Sequence, residues 1–148
     1  MPIPPLEADG LLPEGIHDCS LEEVRESFGR FRGSDRRPRL YKNLERLVRE
    51  LRRFRIRIAL VIDGSFVTSE PRPNDIDLLL VLPAEWDFEA ELPPDTYSLL
   101  SKRHVKKRFG FDILIACEES PEYETYLLFF QGIRGDPDQG KGLLRVCL

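Results

Sequence analysis

Apolar positions recur along this chain with two periods. Between residues 39 and 54, Leu40, Leu44, Leu47, Val48 and Leu51 fall at three- and four-residue steps, one stripe of a helix. Residues 56–63, 75–82 and 109–117 are instead short, nearly continuous apolar runs of strand length. Ser20 followed by Glu23 makes a capping box for a short helix ending near residue 28. Residues 29–38 read as a basic loop. Asp95 opens a helix to about residue 107 with a basic end, as the helix dipole prefers. Ser120 and Pro121 open a last helix to about residue 131. A glycine-rich loop, 132–142, then leads to a final strand, 143–148. Residues 84–94 form an acidic loop with Trp86 as its anchor on the core, and residues 1–15, rich in Pro and Gly, an extended arm.

These elements predict an α/β (α+β) fold: a mixed β-sheet of about four strands flanked by helices. The chain has 148 residues, enough for one ordinary domain. Residues 16–148 are expected to form it, after the arm of residues 1–15. No apolar run approaches the ~20 residues that a membrane-spanning helix needs, so no membrane partner is expected. The first ten residues lack a basic, apolar leader pattern. Cys19, Cys117 and Cys147 are odd in number and widely spaced, which excludes a disulfide framework and points to the cytoplasm. Neither His17 nor His104 has a Cys or His at metal-ligand spacing. The net charge of −4 conceals an uneven distribution: residues 30–57 hold 12 basic and 3 acidic residues.

Three aspartates change the picture. Asp75 and Asp77 precede Leu78-Leu79-Leu80-Val81, and Asp112 sits inside Phe111-Asp112-Ile113-Leu114. Aspartate is depleted in strands, and an unpartnered buried charge is costly. Residues i and i+2 of a strand share a face, so Asp75 and Asp77 project together. If the second and third apolar strands are neighbours, Asp112 joins them at one edge of that face. Such a cluster suits hard cations such as Mg²⁺, and two ions about 3.5–4 Å apart can clamp both oxygens of a phosphoryl transfer. Gly64-Ser65 closes the preceding strand, where a backbone can approach a phosphate closely and a hydroxyl can donate to it. The competing reading is a structural carboxylate group satisfied by arginines such as Arg72 or Arg108.

At Asp63-Gly64-Ser65, Asp75-Ile76-Asp77-Leu78 and Phe111-Asp112-Ile113 the sequence resembles the DNA polymerase beta-like nucleotidyltransferase superfamily, in its small single-domain form. Asp63 departs from the apolar residue usual before the glycine. The resemblance implies a Mg²⁺-dependent nucleotidyltransferase (EC 2.7.7 type) that binds ATP or another NTP. It would move an NMP to a hydroxyl and release pyrophosphate, using two Mg²⁺ ions or Mn²⁺ in their place. Asp75, Asp77 and Asp112 would be the catalytic and metal-binding residues, with Gly64 and Ser65 on the triphosphate. Small members of this kind resemble one component of toxin–antitoxin pairs, which implies a protein partner or an RNA end, such as that of tRNA, as acceptor.

A triphosphate carries more negative charge than metals alone neutralise, and Lys102 and Lys106, just before the third strand, are candidates to bind it. Residues 135–141 imitate a Walker A loop ending in Lys141, but Gly142 stands where Ser or Thr is required and only six residues follow. A P-loop is therefore rejected, and the segment reads as a flexible hairpin carrying one lysine. Two alternatives keep other roles open: a catalytically silent module of the same fold, or an RNA-binding domain using residues 30–57. In the second, Arg46, Arg49, Arg52 and Arg53 would present an electropositive helix face.

Overall fold

The structure, a computed structural model, describes residues 3–54, 56–89, 91–133 and 136–148. In chain order the elements are β1 (Gly15–Cys19), α1 (Leu21–Phe28), α2 (Arg36–Arg52), β2 (Ala59–Asp63), a 3-10 turn (Ser65–Val67), β3 (Asp77–Leu82), α3 (Pro94–Leu99), α4 (Lys102–Phe109), β4 (Asp112–Cys117), α5 (Pro121–Gln131), β5 (Gly132–Ile133), β6 (Asp136–Gly140) and β7 (Gly142–Cys147). Five strands form one mixed sheet in the order β1-β7-β2-β3-β4, and β5 and β6 form a separate hairpin. The β1–β7 and β3–β4 pairs are parallel, and β2 runs antiparallel to both neighbours.

Strand parity divides the core into two layers. Leu60, Ile62, Leu78, Leu80, Leu82, Ile113, Leu144 and Val146 pack with Val24 and Phe28 of α1, Leu44, Leu47, Val48 and Leu51 of α2, and Val105 and Phe109 of α4. On the opposite face, Ala59, Val61, Leu79, Val81, Ala116 and Leu143 pack with Leu127 and Phe130 of α5. The predicted α+β class holds, with one strand more in the sheet than expected. The missing one is β1, Gly-Ile-His-Asp-Cys, an edge strand too polar and too short to register as an apolar run.

Boundaries moved where local chemistry intervened. The long helix starts at Arg36, and Pro38 occupies its first turn, where no backbone donor is needed. The helix expected over 95–107 is two helices, because Ser101 caps α4 by accepting from the His104 amide. Gly110, at φ +81°, closes α4, so the third predicted strand begins at Asp112. The capping box forms as read, with Ser20 Oγ accepting from Glu23 N and Glu23 Oε1 from Ser20 N. Trp86 is half-buried against the main core, as expected of an anchor. Residues 3–14 form no helix or strand, yet Leu12 is buried and Ile3 and Leu6 pack on the same core. Gly135, the first residue of the Walker A lookalike, lies outside the described residues.

Candidate active site

The sheet register decides where the carboxylates meet. Asp63 pairs with Asp77 across β2–β3, and Asp77 pairs with Asp112 across β3–β4. Register partners share a face, so the three side chains form one row across adjacent strands, roughly 5 Å apart from strand to strand. Parity places the row on the α5 side, at the end where β3 and β4 begin. The convergence expected of Asp77 and Asp112 is therefore present. Asp63, which the sequence pattern marked only as a departure, is its third member.

Asp75 is placed differently from the expectation. β3 begins at Asp77, so Asp75 lies in the preceding loop and strand parity does not position it. Ser65 holds it instead: the Ser65 amide and hydroxyl both donate to Asp75 Oδ1, at 3.0 and 2.9 Å. The same hydroxyl accepts from the Asn74 amide at 3.0 Å. Gly64 permits this approach. Its φ is +95°, and a Cβ there would stand 3.0 Å from both Asp75 Oδ1 and Asp77 N. The amides of Phe66 and Val67 are taken by Asp75 O and Gly64 O. The donors expected to cradle a phosphate are thus spent within the loop.

Arg37 fixes that loop from below. Its guanidinium is buried between the rings of Phe28 and Phe66 and donates to the carbonyls of Phe28, Phe66, Thr68 and Glu70. Arg36 donates to Asn74 Oδ1 at 2.9 Å, so the N-terminal turn of α2 grips the loop at both ends. The sequence reading counted these arginines as part of a basic surface. Others in residues 30–57 are also engaged: Arg30 with Glu26, Arg39 with Asp35, Arg49 with Glu45 and Arg57 with Glu118. Arg46 lies over the Phe109 ring. The electropositive face is therefore weaker than the residue count suggests.

Two lysines flank the carboxylate row. Lys106 Nζ lies 3.3 Å from Asp112 Oδ2, with both side chains exposed. Lys141 Nζ lies 2.8 Å from Asp63 Oδ1, where both side chains are largely enclosed; the approach angle makes this an ion pair without a formal hydrogen bond. Lys102, at the start of α4, is exposed and has no ion-pair partner among the described residues. Arg108 binds Glu50, and neither it nor Arg72 touches the row. Among the described residues, no arginine satisfies the row.

The row stores electrostatic repulsion. Burial raises Asp77's pKa to about 6, aided by the charges of Asp75, Asp63 and Asp112. Burial also raises that of Asp63, outweighing the nearby Lys141. Among the described residues, no three His, Cys, Asp or Glu side chains are already drawn together as a metal cage. Cys19, Cys117 and Cys147 are free thiols, and burial pushes Cys19 up to about 12. Among the described residues no helix is long and apolar enough to cross a membrane.

No curated protein and no solved structure gives a significant match to this sequence. One family model does, and it runs over residues 4–147, from the arm through β7. On that match the chain belongs to DUF6932, a family of unknown function.

Proposed function

We propose that the chain is a Mg²⁺-dependent nucleotidyltransferase, moving an NMP from an NTP to an acceptor hydroxyl. The observation that carries this reading is the in-register row Asp63-Asp77-Asp112, with Asp75 held beside it by Ser65. The donor set fits the ion: it is all carboxylate oxygen, and burial together with the neighbouring carboxylates Asp75, Asp63 and Asp112 disfavours the charged form of Asp77, which a cation would restore. Mn²⁺ is compatible with the same donors. Asp75 and Asp77 would hold the ions, and Asp112 would hold the one nearer the acceptor. When bound, the metal neutralises the triphosphate and acidifies the attacking hydroxyl.

The protein's own part is orientation and proton transfer. Ser65 fixes one oxygen of Asp75 and leaves the other free to ligate. Arg37 holds the loop that carries Ser65. Asp112, exposed beside Lys106, is open to solvent and can accept the acceptor's proton. The acceptor oxygen bonds to the α-phosphorus, the bond to the β-phosphate bridging oxygen breaks, and pyrophosphate leaves with that electron pair. A protein partner, as in a two-component toxin–antitoxin pair, or an RNA end supplies the hydroxyl.

A second reading keeps the fold without transfer. It is favoured by the two ammonium groups already resting on Asp63 and Asp112. Incubation with each labelled NTP, Mg²⁺, and total RNA or lysate separates the two. Label transfer that disappears in Asp75→Ala/Asp77→Ala supports the enzyme. No transfer and no Mg²⁺-dependent nucleotide binding would leave only the silent module.

A further inference from the structure

Neutralising a polyphosphate needs donors that remain free. The Ser65 amide and hydroxyl are committed to Asp75, and the Phe66 and Val67 amides to the loop itself. Lys106 rests on Asp112 on the exposed side. Lys141 stands at the enclosed end of the row. It precedes β7, and its ammonium lies 2.8 Å from Asp63, whose side chain is on the face that carries Asp77 and Asp112.

Its position is built from the backbone up. The Lys141 amide donates to Gln131 O at 2.8 Å, at the end of α5, and the Gly142 amide donates to Leu12 O at 3.1 Å. A Cβ at residue 142 would fall 2.0 Å from Pro13 O and 2.8 Å from Leu12 Cβ, so only glycine lets the strand press against the arm. This explains why glycine follows the lysine where a P-loop has Ser or Thr. The lysine is set by strand packing, and its ammonium is delivered to Asp63 at 2.8 Å.

An ammonium has three donors. One faces Asp63, and the other two have no side-chain or backbone partner among the described residues. The Lys141 side chain keeps 20 % of its surface exposed, so those donors can be reached. A buried pair of this kind is weak evidence for stability, because apolar residues of similar volume serve as well or better. We propose that Lys141 binds the polyphosphate chain of the ligand at this site and that Asp63 is the positioning residue that aims its ammonium. The choice of ligand rests on the nucleotidyltransferase reading above.

The test is calorimetric binding of inorganic tripolyphosphate and of the four NTPs, each with and without Mg²⁺, to the whole protein. Lys141→Met leaves Asp63 without its cation, so Asp63→Val/Lys141→Met serves as the variant that removes the pair together. Loss of a charge-assisted contact predicts about tenfold or weaker tripolyphosphate binding in both variants, with Lys141→Arg retaining most of it. Mg²⁺ affinity of Lys141→Met measured without phosphate is expected not to fall. A folded double variant that binds tripolyphosphate within about twofold of the natural chain overturns the role of Lys141. If that chain binds NTP and the lysine variants bind it equally, only the lysine assignment fails. If it binds neither tripolyphosphate nor NTP, both readings fail. Binding through Lys141 without any transfer would retain this site and sink the enzyme.

Discussion

Strand β7 and the residue before it bring cations to two aspartates, with opposite results. Arg145 stands opposite Asp18 in the β1–β7 register, and its guanidinium forks the carboxylate at 2.6 and 2.9 Å. A third donor reaches the Tyr123 hydroxyl at 3.3 Å. Asp18 lies near solvent, and this hydrogen-bonded fork holds its carboxyl below the usual range. Lys141 approaches Asp63 equally closely, yet the Asp63 carboxyl is raised. A planar fork at a wet surface stabilises the charged form with two aligned bonds. A single ammonium in an enclosed space does not offset the lost hydration. One pair is electrostatically settled. The other leaves the Asp63 carboxylate incompletely compensated, beside further aspartates that share the same lysine.

The largest expected difference is catalytic. Asp77→Asn should lower label transfer by about a thousandfold or more, since several kcal/mol of metal-derived stabilisation depend on it. Asp18→Asn should leave transfer within about twofold, because it lies on β1, away from the row. Equal losses in single-turnover assays would erase the distinction between the two pairs.

Stability should divide them next. At pH 7, Lys141→Met should cost about 3 kcal/mol in urea unfolding, by stranding the Asp63 charge, and Asp63→Val/Lys141→Met should recover most of it. Arg145→Met should cost about 1 kcal/mol or less, because Asp18 is more than half exposed. A Lys141→Met cost no greater than that of Arg145→Met would contradict the enclosed character of the Asp63 pair.

Mg²⁺ offers a third comparison. At 100 times its dissociation constant it should stabilise the native chain by about 2.7 kcal/mol, seen as a rise in Tm. The rise should vanish in Asp77→Asn and persist in Asp18→Asn. A rise that survives in Asp77→Asn would place the ion elsewhere.

The smallest effect is in pH dependence. Without metal, native Asp77 holds its proton up to about pH 6, whereas the unfolded chain releases it in the ordinary carboxylate range. The native state binds more protons in between, so Asp77's contribution falls as pH rises through about 4–6 and is flat above. Asp18 has the reverse sign: its contribution is present at neutral pH and lost on acidification through its lowered pKa. Unfolding titrations of Asp77→Asn and Asp18→Asn should therefore change slope in opposite directions. Slopes that change the same way would show that the two carboxylates do not differ as described.

What could be read beforehand was whatever the chain writes locally. The α2 stripe, the Ser20 and Ser120 caps, and the apolar runs of β2, β3 and β4 all depend on neighbours within a few residues. The alignment of Asp77 with Asp112 was accessible because both open apolar strands. The partnership of Asp63 with Lys141 was not, because it joins β2 to the residue before β7, which only the folded sheet brings together. Asp63 has one local sign, a charge in an apolar strand directly before glycine, which does not by itself name a partner. Lys141 was hidden by a false phosphate-loop pattern whose glycine serves packing against Leu12 and Pro13. Arg37 looked like surface charge because its acceptors are main-chain carbonyls, which leave no trace in a sequence.

The sheet order has a consequence for how the protein is made. β7, made after every other strand of this sheet, is inserted between β1 and β2. Until residues 142–147 leave the ribosome, β1 has no sheet partner, and the β2 edge stays open. Lys141 emerges just ahead of them. A nascent chain carrying all four aspartates of the candidate site therefore still lacks both its central seam and the cation at Asp63. Loss of residues 142–147 would remove the strand that joins β1 to the rest of the sheet.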